Sequence, residues 1–406
     1  MECDSEGKMM VNQKEKVLIV HNYYQIPGGE DTVVMNEKKM LEEHGHEVVL
    51  YTRSNSELKT MSKVRKMLLP VTTVFNLQTY KEIRKIICEQ NIDIVHVHNT
   101  LNLISPAVYY AALSKKIPVV QTVHNFRLLC PGATFYRDGH ICEDCVQYGL
   151  NCAIRHNCYR NSKLQTCACV ITTWIHRALR IYGRINYICL TEFNKEKLLT
   201  LKQIHRERIY VKPNFVQSNL EYKSHEERKN QIVYLGRIDE LKGIRILMDA
   251  WSQIEKENVE KKFSLIICGT GKMEIWCKNY IKENNLKNIE IKGFVSNEEA
   301  LKIIGESKAV VLPTQVYEGF PMVIVEAISV GTPVIGSDIG NVGSIIQEGI
   351  TGYKFDFMSS KDLVQVLMNA DLNINDRVFS VYQKLYTKED NYFQLLNCYR
   401  EVSKHG

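Results

Sequence analysis

The chain has 406 residues, of which 45% are hydrophobic and 24% are charged, and its formal net charge is +6. This length suits two domains of ordinary size, and the composition excludes a disordered or fibrous protein. No apolar run reaches the roughly 20 residues that span a bilayer. Residues 1–15 are polar and lack the apolar core of a signal peptide, so the sequence predicts a polar leader and a cytoplasmic protein.

Short runs rich in β-branched residues alternate with helix-length segments along the chain. The runs predicted to be strands lie at residues 17–20, 47–51, 93–98, 118–123, 187–190, 209–211, 231–235, 263–268, 289–292, 309–313 and 333–336. This alternation is typical of parallel sheets, which bind ligands at the carboxyl ends of their strands. We therefore predict an α/β protein with two doubly wound, Rossmann-like domains that face each other across a cleft.

The charged segment at residues 219–230 separates the two groups of strands and predicts a linker. The domains are then residues 16–218, with a Cys-rich insertion at 130–169, and residues 231–385. Residues 386–406 are predicted to form a C-terminal helix that could pack back on the first domain. No G-x-G-x-x-G follows a predicted strand, which argues against a dinucleotide-binding dehydrogenase.

Two motifs of the first domain follow predicted strands. Gly28 and Gly29 come after the first strand, where they could form an ordinary turn into a helix or let backbone amides approach a phosphate. His124 ends the strand at 118–123, where a cleft residue is expected, although a lone histidine is more often structural. His98 and Asn99 are weaker candidates at the end of the strand at 93–98.

Seven of the 13 cysteines fall within residues 130–169. A chain without a secretory signal does not favour a disulfide framework. The Cys-x2-Cys spacing of Cys142 and Cys145 suits half of a tetrahedral zinc site, with Cys130 and Cys158 as the other ligands. Cys152, His140 and His156 compete for those two places, and a set of buried free thiols is the alternative.

Basic residues predominate in two parts of the first domain. Residues 151–212 hold twelve Lys and Arg against three acids, which could attract phosphates or anionic lipids or could be a solvated face. Residues 52–76 could lie on an anionic membrane or form an ordinary amphipathic helix. The sequence has no nucleic-acid-binding signature, so nucleic acid is not a predicted partner.

The segment at residues 318–326 carries two glutamates eight positions apart, and its apolar residues could form a strand or a helix. Since parallel strands on either side need a crossover, a helix is predicted. Glu318 then lies in the loop before the helix, and Glu326 lies in its second turn. Burying Glu326 is costly without partners, which ligand hydroxyls could supply.

Further candidates follow the strands at 231–235 and 263–268. Arg237 and Lys242 can converge on one anion beside Gly236. The Arg237 guanidinium would bind it through two parallel N–H groups, and the Lys242 ammonium would act as a point charge. Gly269 and Gly271 form a second glycine pair. Each motif is common alone, but together at the strand ends of one domain they favour a phosphate site.

These residues resemble the retaining nucleotide-sugar glycosyltransferases of family 4, which have the GT-B architecture. The resemblance rests on GRIDELKG at 236–243, GTG at 269–271, GF at 293–294 and EGFPMVIVEAISVGTPVIGSDIG at 318–340, and it is looser before residue 231. HNFRLLCP, CEDC and CYR are similar to a bacterial polysaccharide subset with a cysteine-bearing insertion.

The resemblance implies a role for each position. Arg237, Lys242 and Gly29 would contact the donor diphosphate, and Glu326 would bind the ribose hydroxyls. Glu318 and His124 would lie at the reacting sugar. Backbone contacts to the donor sugar and base would come from Gly319, Phe320, Met322, Gly293 and Phe294. Pro321 departs from family members with an amide-bearing residue there and removes one possible N–H donor to the sugar.

The implied activity is transfer of a hexosyl group from a nucleotide-diphosphate sugar to a growing, lipid-linked bacterial surface polysaccharide, such as capsule or O-antigen, at the inner face of the membrane. No acidic nucleophile is apparent in the first domain, so transfer with retention would use the donor phosphate as base. No Asp-x-Asp occurs, so no cofactor is expected for catalysis and structural zinc is the one metal considered. A nucleotide-sugar epimerase of the same fold and a non-catalytic nucleotide-sugar-binding protein are the alternatives.

Overall fold

The structure is a computed structural model that describes residues 14–25, 28–218, 220–256 and 263–404. The predicted polar leader lies outside the described residues except for Lys14 and Glu15. Residue 219 of the predicted linker and residues 405–406 of the predicted C-terminal helix also lie outside them.

The secondary structure alternates along the described chain. The strands are β1 Lys16–Tyr23, β2 Glu47–Ser54, β3 Ile94–Asn99, β4 Val119–Val123, β5 Tyr136–Arg137, β6 His140–Ile141, β7 Asn186–Cys189, β8 Ile209–Val211, β9 Lys229–Leu235, β10 Ser264–Cys268, β11 Ile289–Gly293, β12 Ser307–Leu312, β13 Val334–Ser337 and β14 Gly352–Phe355. The helices are α1 Gly29–Glu43, α2 Glu57–Thr60, α3 Lys63–Val74, α4 Leu77–Gln90, α5 Ala107–Leu113, α6 Asp144–Gln147, α7 Asn151–Arg155, α8 Lys163–Ala178, α9 Glu192–Leu199, α10 Ile244–Lys256, α11 Glu274–Glu283, α12 Asn297–Gly305, α13 Met322–Ser329, α14 Gly340–Ile345, α15 Ser360–Asn369, α16 Asn375–Leu385 and α17 Lys388–Lys404. Short 3-10 helices occur at Ile181–Gly183, Arg206–Arg208 and Glu240–Lys242.

The first domain is built on a six-stranded parallel sheet in the order β2-β1-β3-β4-β7-β8. β3 and β4 are buried along their whole length because helices cover both faces of the sheet. One core contains Ile83 of α4 and Val108 of α5. The core on the other face contains Val34 of α1 and Leu395 of α17.

The second domain repeats this arrangement with a six-stranded parallel sheet in the order β11-β10-β9-β12-β13-β14. The prediction of two doubly wound, Rossmann-like domains is therefore confirmed. The sequence did not predict β14 or the hairpin of β5 and β6, because segments this short show little periodicity. At the tip of that hairpin Asp138 and Gly139 have φ angles of 48° and 83°, as a two-residue I′ turn requires.

The predicted linker at 219–230 differs from the structure at its C-terminal end, where β9 already begins at Lys229. The preceding Arg228 is only 4% exposed, and its guanidinium donates to the carbonyl oxygens of Ser307 at 3.2 Å and Val330 at 2.7 Å. Although this segment is highly charged, backbone carbonyls of the second domain satisfy Arg228 in the interior.

The last helix, α17, lies against the first domain rather than the second. Leu395, Leu396 and Tyr399 belong to the same core as Val17 and Ile19 of β1. The Tyr399 hydroxyl also lies 2.7 Å from His96 Nδ1 in the interior. In the described part of the chain, no helix combines the length and apolarity needed to cross a bilayer.

Candidate functional site

The carboxyl ends of the two sheets face each other, and loops from both domains meet there. A Cβ atom on Gly319 would lie 1.8 Å from the carbonyl oxygen of His124, so only a glycine fits this crossing. Asn194 Nδ2 of the first domain donates to the Gly319 carbonyl at 2.8 Å, and Asn341 Nδ2 of the second lies 2.6 Å from the same oxygen. These contacts bring the loop of Glu318 against the end of β4.

Two helix N-termini lie on opposite sides of this cleft. Gly28 precedes α1, and its amide donates to Asp31 Oδ2 at 3.0 Å, while Asp31 Oδ1 is 2.7 Å from His21 Nε2. A Cβ on Gly29 would lie 3.4 Å from Met322 Cγ at the start of α13. Because the first amides of a helix lack intrahelical partners, this arrangement can bind an anion between the domains.

Glu318 lies in the loop between β12 and α13 and pairs with Lys242. The Lys242 ammonium is 2.5 Å from Glu318 Oε1, and the Thr314 hydroxyl donates to the same oxygen at 2.8 Å. Both charged side chains are mostly buried, with 22% and 15% of their surfaces exposed. The site therefore holds one cation and one carboxylate side by side, either of which a polar ligand can engage.

Glu326 lies one turn into α13, and its side chain is mostly but not fully buried. Burial raises the pKa of Glu326 to about 7. Among the described residues its carboxylate has neither a hydrogen-bond donor nor an ion-pair partner. A buried carboxyl group without partners is costly, and such groups concentrate where ligands bind.

Arg237 follows β9 as predicted, but its side chain pairs with Asp239, whereas the Lys242 ammonium pairs with Glu318. The Arg237 side chain is 72% exposed, and its guanidinium is 3.3 Å from Asp239 Oδ2. The nearby glycines serve a different purpose from the one expected. Gly269 has a φ of 138°, and a Cβ there would lie 1.9 Å from the carbonyl oxygen of Gly236, so this glycine lets two loops of the protein meet.

The residues predicted to contact the donor sugar and base lie at or after the ends of β11 and β12, which are separated in the sheet by β10 and β9. Gly293 ends β11, and its carbonyl accepts from the Gly269 amide at 2.7 Å. Phe294 follows it with 82% of its surface exposed, which leaves the backbone at this strand end accessible. Phe320 packs on a hydrophobic core of the second domain, and Met322 Sδ accepts from Asn214 Nδ2 at 3.5 Å.

His124 is connected through His98 to a buried carboxylate. His124 Nε2 lies 2.9 Å from His98 Nδ1, and His98 Nε2 lies 3.4 Å from Glu37 Oε2. His98 Nε2 and Glu37 Oε2 do not meet hydrogen-bond geometry. The nearby negative charge nevertheless favours the tautomer of His98 with its proton on Nε2, in which His98 Nδ1 accepts from His124 Nε2–H. This order leaves His124 Nδ1 as a hydrogen-bond acceptor.

The imidazoles of His96, His98 and His124 are neutral near pH 7. Burial lowers the pKa of His124 to about 3 and that of His96 to about 4, and it lowers the pKa of His98 well below its ordinary value. Burial alone would raise the pKa of Glu37, but Lys212, at 2.7 Å, holds it below its ordinary value. His124 can therefore accept or donate a hydrogen bond but does not supply a positive charge.

A pocket extends from His124 into the first domain. It is lined by strand-end and helix residues that include His98, Asn99, His124, Arg127, Thr73 and Thr172. The strand ends of β3 and β4 supply the first three, and α3 and α8 supply the last two. A ligand that enters this pocket would reach the same histidine that the loop of Glu318 approaches.

The cysteines of the insertion lie near one another without forming a preassembled metal site. Cys145 is buried in a small apolar cluster that also contacts Cys152 and Cys158. Burial, with neighbouring Cys130 and Cys158, raises the pKa of Cys145 to about 12. Among the described residues, no three of these sulfurs lie within 4.8 Å of one another. The zinc site with Cys130, Cys142, Cys145 and Cys158 stays a prediction.

Glu37, His96 and His98 do place ligand atoms within 4.8 Å of one another, but the Lys212 ammonium already neutralises Glu37 there. The sequence analysis did not single out Glu37, Asn194, Asn341 or Thr314. Thr314 follows β12 directly, so its strand-end position was a usable signal. Asn194 and Asn341 meet only through the packing of the two domains, which no local pattern reveals.

Two family models match most of the chain. Residues 27–220 match the model described as Glycosyltransferase Family 4, and residues 217–374 match the model described as Glycosyl transferases group 1. The first match covers most of the first domain, and the second covers most of the second sheet with its strand-end loops.

Individual proteins support the same grouping. An uncharacterized glycosyltransferase of Methanocaldococcus jannaschii is 28% identical over 181 residues, 45% of this chain and 48% of that protein, so the match spans about half of the relative's length. An uncharacterized 41.2 kDa protein in the cps region of Klebsiella pneumoniae is 20% identical over 95% of this chain and 99% of its own. The crystal structure of Anabaena HepE in complex with UDP and glucose has a TM-score of 0.63 and 15% identity, covering 94% of this chain and 98% of that one, which shows a shared fold.

Proposed function

The chain belongs to the group 1 glycosyltransferases of the GT-B fold, and on that premise we propose that it transfers a sugar from a nucleotide-diphosphate donor, with retention of configuration, to a growing bacterial surface polysaccharide. The relative from the cps region supports a role in polysaccharide synthesis. The bound UDP and glucose in HepE support a nucleotide-sugar donor.

The observation that carries this proposal is the buried carboxylate of Glu326, which has no partner among the described residues. It lies one turn behind the α13 N-terminus, which faces Gly29 across the cleft. A nucleoside diphosphate supplies complementary groups at this spacing, because its ribose carries two hydroxyls beside the phosphates. Glu326 would accept from these hydroxyls while the helix N-terminus contacts the diphosphate.

Lys242 and Glu318 would exchange their present contact for contacts to the donor. The diphosphate would take the Lys242 ammonium, and Arg237 would turn from Asp239 toward the same phosphates. Glu318, released from Lys242, would hold hydroxyls of the transferred sugar. These cations and the two helix N-termini stabilise the charge of the leaving diphosphate, so we propose that catalysis does not depend on a divalent metal.

His124 would hold the sugar from the opposite side of the cleft. Its Nδ1 is left as an acceptor by the contact between its Nε2 and His98, so it suits a sugar hydroxyl. No carboxylate is offered by the end of β4, and we propose that the donor phosphate removes the acceptor proton on the face from which it leaves. The protein then contributes positioning and electrostatic stabilisation.

Thermal unfolding with UDP, GDP, ADP and dTDP tests the donor site. A nucleotide at 100 times its dissociation constant stabilises the protein by about 2.7 kcal/mol. We expect one nucleotide to do so in the wild type and in the controls Lys278→Ala and Glu283→Gln, which change exposed residues of α11. Lys242→Ala and Glu326→Gln should each lose at least tenfold in affinity. Equal affinities in all five proteins would disprove this donor site.

Turnover tests the reaction class. Incubation of the nucleotide sugar without acceptor should leave it unchanged apart from slow hydrolysis, whereas conversion to another nucleotide sugar would identify an epimerase. With a lipid-linked saccharide acceptor, NMR of the product should show the donor's own anomeric configuration. The opposite anomer would overturn the proposal of retention.

A further inference from the structure

Two adjacent helices of the first domain leave apolar side chains in solvent. On α3 they are Val64, Met67, Leu68 and Val71, which are 65%, 76%, 48% and 66% exposed. Their spacing of three or four residues places them in one stripe along the helix. These side chains form one continuous apolar patch, whereas exposed apolar residues usually occur singly. Contiguous exposed apolar patches mark interaction sites.

α8 packs against α3 and carries a second stripe. Leu164, Ile171 and Trp174 are 71%, 47% and 62% exposed, and Leu179 follows the helix with 60% exposed. Beside Trp174, a shallow cleft between α7 and α8 is lined by Leu150, Ile154 and Ile171. Exposed tryptophan is common where proteins enter the interface of a bilayer.

The charge around both stripes is of one sign. Neither residues 58–81 nor residues 145–191 contain an Asp or a Glu. The exposed basic residues in these segments are Lys59, Lys63, Arg65, Lys66, Lys81, Arg155, Arg160, Lys163, Arg180 and Arg184. None of them forms an ion pair with a carboxylate of the described chain. Their positive charge is therefore available to an anionic surface.

The inner sides of the same helices line the pocket of His124. Thr73 of α3 and Thr172 and Thr173 of α8 contribute to its wall, opposite His124 and Arg127. The apolar stripes and the pocket thus lie on different sides of one helix pair. A surface that rests on these stripes is separated from the pocket by little more than the thickness of a helix.

We propose that the α3–α8 pair docks on an anionic lipid bilayer, with the apolar stripes in the boundary between headgroups and acyl chains and the basic residues on anionic headgroups. The pocket would then receive the saccharide of an acceptor anchored in that bilayer, a detail that rests on the proposed function. A second copy of this chain fits less well, because a symmetric contact would bring the same positive residues together.

Vesicle co-sedimentation tests the docking without nucleotide or acceptor. The wild type should bind vesicles of phosphatidylcholine mixed with phosphatidylglycerol, bind phosphatidylcholine alone far more weakly, and dissociate at high salt. Lys63→Ala, Arg65→Ala and Lys66→Ala combined should weaken binding on the order of a hundredfold. The matched control combines Lys278→Ala, Lys282→Ala and Lys287→Ala in the second domain and should bind as the wild type does.

The apolar stripes are tested by Met67→Ser combined with Trp174→Ser, against the control Ile275→Ser with Ile350→Ser, which alters exposed residues of the second domain. Only the first pair should lose vesicle binding, with unchanged circular dichroism. A wild-type protein that binds phosphatidylcholine vesicles as well as it binds vesicles with phosphatidylglycerol would overturn the proposal. So would a wild-type dimer that binds no vesicles and that the first pair converts to monomers, since the surface would then join two copies.

These results are independent of the donor site. Vesicle binding with no nucleotide binding would leave the docking intact and contradict the proposed function. Nucleotide binding with no vesicle binding would leave the proposed function intact and contradict the docking. Agreement of both would justify an assay with the acceptor embedded in vesicles, where Met67→Ser with Trp174→Ser should reduce turnover and the same acceptor in detergent should restore it.

Discussion

Glu326 indicates a ligand because its carboxylate lacks a hydrogen-bond or ion-pair partner among the described residues. A carboxylate placed among the apolar residues of α13 loses its hydration, and no donor among the described residues replaces it. The apo protein tolerates this because the group can take up a proton. The stability of the apo protein should therefore depend on pH in a way that identifies Glu326.

The pKa of Glu326 rises from 4.5 to about 7 on folding, so the folded chain holds this proton more tightly than the unfolded chain. Its contribution to stability is complete below pH 4.5 and is lost as the pH rises to about 7. The loss is about 3 kcal/mol at 1.36 kcal/mol per pKa unit. Glu326→Gln should remove that dependence, and unfolding midpoints at pH 5 and pH 8 should differ less than in the wild type.

Glu283→Gln is the control for this pH effect, since Glu283 is exposed on α11 and its replacement should leave the difference between the two midpoints unchanged. A wild type whose midpoints match those of Glu326→Gln at both pH values would show that Glu326 is solvated or paired in the apo protein.

The positions of Glu318, Lys242 and His124 at strand ends follow from sequence, because strand runs are recognisable and parallel strands bring their carboxyl ends to one edge. Their partners do not follow. The pairing of Lys242 with Glu318 and the order Glu37, His98, His124 depend on side chains from separate elements. Sequence patterns report periodicity along one element and carry no signal for such contacts.

At the scale of elements, the Cys-rich insertion contains α6, α7 and α8 and one short hairpin, and its core is small. Segments of this size often need a crosslink or a metal to hold their fold. The cysteine spacing predicts zinc for this segment. A bound ion would brace the segment whose α8 also lines the pocket.

Metal analysis of the purified protein should find about one zinc per chain, held by four thiolates. Cys142→Ser and Cys145→Ser should each lose the metal and lower the unfolding midpoint, because zinc binding adds to the free energy of folding. Cys88→Ser, which alters an exposed cysteine of α4, should keep both. Zinc-free protein with the midpoint of the wild type would show that these residues are free thiols.

The strands also show the limits of sequence analysis at this scale. Runs such as 17–20 and 309–312 are predictable because strands covered on both faces are continuously apolar or β-branched. β14, with only four residues and a glycine at its start, lacks that signature. The end of the predicted linker is hidden for a related reason, since local charge does not reveal that Arg228 finds carbonyl partners in the second domain.

At the scale of the whole molecule, the two domains are linked by polar contacts between the loops that line the cleft. Asn194 Nδ2 donates to the Gly319 carbonyl at 2.8 Å, and Asn341 Nδ2 lies 2.6 Å from Asn194 Oδ1. These bonds stabilise the closed arrangement, and a donor that binds both sides of the cleft gains from them.

Asn194→Ala should therefore weaken nucleotide-sugar binding by about tenfold, corresponding to one or two lost hydrogen bonds at about 1 kcal/mol each. The unfolding midpoint should change little, because the cores of the two domains are untouched. Calorimetric titration checks this, with Asn369→Ala, an exposed site on α15, as the control. Unchanged affinity would indicate that closure does not contribute to donor binding.

The chain crosses between the domains twice. The first crossing runs from β8 to β9 over residues 212–228. The second lies between Tyr386, which is buried in a core of the second domain, and Lys388, whose ammonium lies 2.8 Å from Glu43 of the first domain. Two anchored crossings define one axis, and motion about any other axis would stretch a tether. We therefore expect the two domains to rotate mainly about this axis. Each closure would then return Gly319 to the carbonyl of His124 in the same orientation.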